Sequence, residues 1–370
     1  MLYDDLSINF LEFGNYNAGD SVFIKAGDID ILIDAGSKVD SLKTIDNFID
    51  KNCDDGVLEY VVATHAHEDH IACFDNKNGD GIFYRYEIKN IIDFSLKNTN
   101  SNISKAYISK RNELVSEGTI HHTADYYFTK NTTTDKYEPN SYNHIELTDT
   151  ISMDILYNYY YFNTSSDENN YSVSVMINQG ENNHFMFTGD LEQDGETKMA
   201  NYYASNGNLP HVKLFKGGHH GSKTSSNEVL LSQITPEICA VCCCVGSDEY
   251  SNNTDNQFPT QDFINHIAKY TTNVFVTSVV KYETTNGKLY PSKKFESLNG
   301  IITVRADGTG KVFVKGSNNT TKLKDSEWFN MTIMRTKGNS TGVNNRVDDV
   351  IGKVRTWPTI TSMYTTFNQG

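Results

Sequence analysis

Apolar and polar residues alternate from residue 7 to residue 13, and comparable short runs follow at 21–25 and 29–34 across polar turns. A period of two is the mark of a half-buried strand, so all three are predicted strands. Beyond Gly36 the period changes. Leu42, Ile45, Phe48 and Ile49 recur at helical spacing within 38–52, and a short apolar strand is predicted at 58–63. The pattern then repeats, with a strand at 88–94 and a helix at 104–117 closed by Gly118. Residues 75–81 form a polar loop, and the Thr/Asn-rich stretch 129–143 reads as a surface insertion.

A second set of elements comprises strands at 151–157, 171–177 and 184–188 and a helix at 192–204. Further strands are predicted at 212–215, 238–245, 273–277, 301–304 and 311–314, with helices near 227–234 and 260–270. The turn Arg305-Ala-Asp-Gly-Thr-Gly310 joins the last two strands as a hairpin. Strands alternating with helices predict a layered α/β architecture. From about Ser317 the chain turns to Asn, Thr, Ser, Lys and Gly, which divides it into a domain over 1–316 and a C-terminal appendage over 317–370.

Composition narrows the class. An aromatic fraction of 12% argues against disorder, because disordered chains are poor in large apolar side chains. The net charge of −15 repels nucleic-acid backbones on average, which disfavours duplex binding and favours small or single-stranded substrates. Cys242, Cys243 and Cys244 are consecutive on a predicted strand, where neighbours face opposite ways and cannot close one tetrahedral site. Cys239 and Cys242 have CxxC spacing without a second such pair, so all six cysteines read as reduced and structural, as in a cytoplasmic protein. No window reaches the apolar length of a membrane span, and the first residues lack the pattern of a signal peptide. Oligomeric state is not written in the sequence.

The chemistry concentrates in Thr64-His65-Ala66-His67-Glu68-Asp69-His70, which holds three of the eleven histidines directly after a predicted strand. A loop leaving a strand can turn imidazoles and a carboxylate toward one point, and both donor types suit zinc and similar divalent ions. His65 and His67 can serve one ion while Asp69 and His70 reach a second.

These residues resemble the first metal motif of the metallo-β-lactamase superfamily, and the resemblance covers most of residues 7–315. Leu32-Ile33-Asp34-Ala35-Gly36 is similar to its opening strand motif. Phe10-Leu-Glu-Phe-Gly14 with Gly19-Asp20-Ser21 resembles one branch, which contains the hydrolase domain of the competence DNA-uptake channel and the phosphorylcholine esterases of teichoic acid. Thr188-Gly189-Asp190-Leu191-Glu192 resembles the segment that supplies a carboxylate shared by two metals, and Phe215-Lys-Gly-Gly-His-His-Gly-Ser-Lys223 resembles the branch's His-His-Gly-Ser signature. The resemblance implies an αββα sandwich of two mixed sheets flanked by helices.

It also implies a site. Two divalent ions, zinc first and manganese or iron as alternatives, would be held by His65, His67, Asp69, His70, Asp190 and His220. Asp69, Asp190 and His219 would serve catalysis, and a metal-activated hydroxide would be the nucleophile. His220 is preferred to His219 as the ligand. Asn170, Ser172, Ser222 and Lys223 are candidate substrate contacts. Many members carry a further histidine where this chain has Asn169-Asn170-Tyr171-Ser172; His121, His122 and His144 are weak substitutes. Phe258 stands where the branch often has histidine before Pro259. The implied activity is a phosphodiesterase or nuclease. Hydrolysis of a carboxylic ester, lactone, thioester or lactam is the first alternative, and a degenerate non-enzymatic binding module the second.

Overall fold

The computed structural model describes residues 2–336 and 349–370. Among the described residues, two large sheets face each other. The first has nine strands, of which Ile29–Ile33, Val57–Val62, Glu87–Asp93 and Ile120–Thr123 run parallel in succession. Antiparallel partners Val22–Ala26, Leu6–Phe10, Ile302–Ala306 and Val312–Gly316 extend it on the other side. The second sheet has eight strands, with Asn183–Phe187, Leu214–Lys216, Ile238–Val245 and Val274–Thr285 parallel at its centre.

Strand alternation decides what lies between the layers. Ile238, Ala240 and Cys242 join Ile8, Phe10, Val175 and Phe187 in the core between the sheets. Their neighbours Cys239, Val241 and Cys243 face the other way, against Leu230, Leu231, Phe263, Ile264 and Ile267 of the outer helices. The helix Leu42–Asn52 buries Leu42, Ile45 and Ile49 against the first sheet. The result is the αββα sandwich. All six cysteines are free and buried, and among the described residues no helix is long and apolar enough to cross a membrane.

Several predicted bounds move for local reasons. The strand expected at 171–177 begins at Ser174, because the Asp167 side chain accepts from Asn169 N–H and starts a tight turn over Glu168–Tyr171. The strand expected at 273–277 continues to Thr285 and folds back through Lys288–Ser297. That hairpin lacks a clear period-two signal because both its faces beyond Val280 are exposed or half-exposed. The short edge strands Ile120–Thr123 and His144–Glu146 have too few apolar residues to be legible. Within 129–143, Tyr137–Pro139 pairs with Phe128–Lys130.

The described part of 317–370 packs on the sandwich. Trp328, Phe329, Ile333 and Val354 enter the outer core layer, and Asn368–Gln369 adds a parallel edge to Val312–Gly316. Residues 337–348 of the expected appendage lie outside the described residues.

Candidate metal centre

The parallel strands of both sheets end at the same rim of the sandwich. Val57–Val62 releases the His65–His70 loop there, Asn183–Phe187 releases Asp190, and Leu214–Lys216 releases His219 and His220. Close backbone approach seats the first loop. Ala35 N–H donates to His70 O (2.7 Å) and Asp20 N–H to Asp69 O (3.0 Å). A Cβ on Gly36 would fall 1.5 Å from Asp69 O, so only glycine fits. Asp34, His219 and His220 hold left-handed backbone conformations, with φ of 59°, 43° and 53°. Such conformations are unfavourable for residues with a Cβ, by about 1 kcal/mol each, and cluster where the fold needs a side chain aimed one way.

The side chains converge. His70 Nε2 and His220 Nε2 each lie 3.1 Å from Asp190 Oδ2, and His220 Nε2 is 3.5 Å from Asp69 Oδ2. Both Nε2 atoms are buried and neither has a hydrogen-bond partner. Ligand atoms around a tetrahedral zinc with bonds of about 2.0–2.1 Å stand about 3.3 Å apart, so these separations fit a shared cation. His65 Nε2 and His67 Nδ1 form a second edge of the same kind, at 3.1 Å.

The other ring nitrogens are oriented by acceptors. His70 Nδ1 lies 2.7 Å from Asp34 Oδ2, which also accepts from Thr64 Oγ1 (2.8 Å). His220 Nδ1 lies 3.1 Å from Cys242 O. Asp20, His70, Asp190 and His220 can all offer atoms within 4.8 Å of one another. Asp20, however, faces the Nδ1 side of both rings, at 3.7 and 3.5 Å, and is paired with the buried Lys216. It therefore reads as an outer carboxylate behind the histidines.

Charge follows from this packing. Burial opposes a charged ring at His70 and His220, but Asp190 with Asp34 or Asp20 outweighs it, and both pKa values stand well above ordinary imidazole. Burial, aided by the neighbouring His70, pushes His65 well below. Burial would raise Asp69 and Asp190, yet the adjacent histidines, and Lys216 for Asp190, hold both well below the usual carboxylate range.

Residues 14–76, which contain the seat at Gly36 and the complete His65–His70 motif, match the family profile of the metallo-beta-lactamase superfamily. Over that segment the chain resembles the metallo-β-lactamase superfamily. Recombination protein 2 of Haemophilus influenzae is 34% identical over 74 residues, which is 20% of this chain and 8% of that protein. The match thus spans a small part of that relative's length. The metallo-beta-lactamase fold protein YhfI of Bacillus subtilis superposes with a TM-score of 0.42 at 12% identity, covering 74% of this chain and 96% of its own. A variant of CmlA beta-hydroxylase superposes with a TM-score of 0.37 at 10% identity, over 65% and 46% of the two chains.

Against the superfamily pattern, the remaining expected contacts are distributed unevenly. His219 is 22% exposed, with Nδ1 2.9 Å from Glu192 Oε1 and Nε2 3.8 Å from Asp190 Oδ2. Ser172 is fully buried; its Oγ accepts from Asp190 N–H (3.1 Å) and lies 3.4 Å from His65 Nδ1. Asn170 turns its Nδ2 to Ser165 Oγ, 3.1 Å away. Ser222 Oγ bonds Thr224 Oγ1, and exposed Lys223 donates to Asn256 Oδ1. His121 pairs with Asp93 and His144 with Asp154, while His122 stacks on Tyr126. None of these three contacts the His65–His70 cluster. Phe258 packs on the rings of His219 and His220.

Four participants went unrecognised in the sequence. Asp34 and Asp20 sit inside quoted motifs without an assigned role, Lys216 precedes the Gly-Gly-His-His run, and Tyr250 donates its hydroxyl to Asp69 Oδ2 (2.6 Å) from a loop with no pattern.

Proposed function

We propose that this protein is a metal-dependent phosphodiesterase acting on small or single-stranded substrates. One observation carries the metal-dependent part: two buried histidine Nε2 atoms without hydrogen-bond partners flank a single oxygen of Asp190, each at 3.1 Å. In this reading His70, His220, Asp69 and Asp190 hold one divalent cation and His65 and His67 a second, with zinc first in preference. Bound cations supply acidified water and positive charge opposite a developing oxyanion. Asp34 fixes His70 with Nε2 toward the cluster, and the Cys242 carbonyl does the same for His220. His219, oriented by Glu192 and partly open to solvent, offers Nε2 to a substrate oxygen. Residues 1–316 form the hydrolase domain, and the described part of 317–370 braces its rim, where Arg355 donates to the carbonyls of Thr254, Gln257 and Pro259.

The phosphodiester preference is supported by the resemblance of the His-His-Gly-Ser segment to the uptake-channel and phosphorylcholine-esterase branch. The relative named Recombination protein 2 points the same way. The charge of −15 argues against long duplexes. The test is a panel of bis(p-nitrophenyl) phosphate, short single-stranded DNA, cyclic nucleotides and a generic lactone, each with added zinc or manganese. Phosphodiester turnover that vanishes in Asp190→Ala is expected. Preferential lactone cleavage would move the substrate to the carbonyl class, and an active Asp190→Ala would overturn the metal assignment.

A further inference from the structure

The geometry points to an unequal pair of cation sites: Lys216 claims one oxygen of Asp190, so the Asp69/His70/Asp190/His220 cluster takes one ion tightly and the His65/His67 pair takes a second only weakly. This inference rests on the metal-dependent reading above and concerns how many ions the chain retains.

Lys216 is 2% exposed at the end of the strand Leu214–Lys216. Its neighbours in the sheet fix its position, with the Phe187 strand on one side and Ala240 opposite it on the other. An ammonium has three donors and no acceptor. Here it donates to Gly189 O at 2.8 Å and Asp190 Oδ1 at 3.3 Å, and it forms an ion pair with Asp20 Oδ2. A buried ammonium held in this way cannot swing out without losing these partners, so its contact with Asp190 is a fixed part of the site.

The Asp190 carboxylate is thereby divided. Oδ2 faces His70 and His220, while Oδ1 faces Lys216. For two ions to share Asp190 evenly, an oxygen would have to stand beside the His65/His67 edge. Among the described residues, no ion pair joins His65 or His67 to any carboxylate. Among the described residues, no hydrogen bond joins His65 Nε2 or His67 Nδ1 to any group but each other. Ser172 Oγ is engaged with Asp190 N–H on the Nδ1 side of His65, and Asn170 turns its Nδ2 to Ser165. The His65/His67 pair thus has two protein donors where a stable zinc site has three or four. Repulsion from the buried ammonium acts in the same direction, since it neutralises the carboxylate a second ion would seek.

Calorimetric titration with zinc alone and metal analysis after gel filtration test this on the full chain. Wild type should keep one ion per chain, with a second bound at least about 100-fold more weakly, a gap of about 2.7 kcal/mol. His67→Ala should leave the tight ion's affinity unchanged, whereas His220→Ala should abolish it. The double variant Lys216→Met with Asp20→Asn removes the ammonium without stranding a buried carboxylate, and should tighten the second ion at least tenfold. Lys216→Met alone, should it fold, should do the same. Two ions of equal affinity in wild type, or loss of the tight ion in His67→Ala, would overturn the inference while leaving the hydrolase reading intact. A double variant whose second ion stays weak would overturn it as well. Failure of wild type to hold any zinc would overturn both.

Discussion

Replacing Asp34 by asparagine changes one atom type in a carboxylate that no substrate can touch, since its side chain is 1% exposed. The carboxylate receives three bonds: Thr64 N–H at 2.7 Å, Thr64 Oγ1 at 2.8 Å and His70 Nδ1 at 2.7 Å. In the variant one amide oxygen can still serve Thr64 N–H. The amide NH₂ then meets Thr64 Oγ1, which can turn its proton away, and His70 Nδ1, which must become an acceptor. That moves the His70 proton to Nε2, the nitrogen that lies 3.1 Å from Asp190 and must be free to take a cation. Zinc affinity should fall about 10–100-fold, the usual penalty for losing a carboxylate behind a ligating histidine. Fold stability should drop by about 1–3 kcal/mol, because the geometry survives while one charged hydrogen bond is lost. Zinc titration calorimetry reads the first quantity, and urea unfolding of the chelator-treated protein the second. A folded Asp34→Asn chain that binds zinc within threefold of wild type would refute the claim that Asp34 sets the His70 proton.

Other expectations follow from single contacts. Gly36→Ala places a methyl where Asp69 O stands, so it should destabilise the chain by more than about 3 kcal/mol and lose zinc binding; an unchanged urea midpoint would contradict the packing. Trp328→Ala empties a side chain that is 2% exposed and donates to Tyr282 OH, at about 3–5 kcal/mol, while zinc affinity should hold. Arg355→Met strips donors from the carbonyls of Thr254, Gln257 and Pro259, which frame Phe258. It should cost about 2–4 kcal/mol and raise KM more than it lowers kcat; equal effects on both would remove Arg355 from site positioning.

Much of the candidate cluster was legible because its loops leave strands. His65, His67, Asp69, His70, Asp190 and His220 each follow an apolar run, and the residue types are rare enough to stand out. Asp20 and Lys216 did not stand out, because a charged residue beside glycine is what any turn looks like. Their meaning lies in a pairing across 196 residues that no local pattern encodes. Tyr250 reaches Asp69 over a separation of 181 residues, and Arg355 holds the Phe258 loop from a tail whose composition reads as solvated. The elements were read from periodicity and the αββα arrangement from the family resemblance; periodicity failed where it was absent, in the exposed half of the Val274–Thr285 hairpin and at three- and four-residue edge strands.

The left-handed conformations at Asp34, His219 and His220 have a bearing on anyone who would engineer this molecule. At His219, the one of the three whose side chain is partly exposed, glycine would relax the backbone with little packing lost, so a screen scored on heat resistance alone would be drawn to that codon. The gain would delete a group aimed at the cluster, and the hardier variant would emerge impaired. Heat tolerance is better sought elsewhere, at the exposed hairpin 281–296, whose ion pairs Lys281–Glu296 and Lys294–Glu283 lie within the hairpin itself.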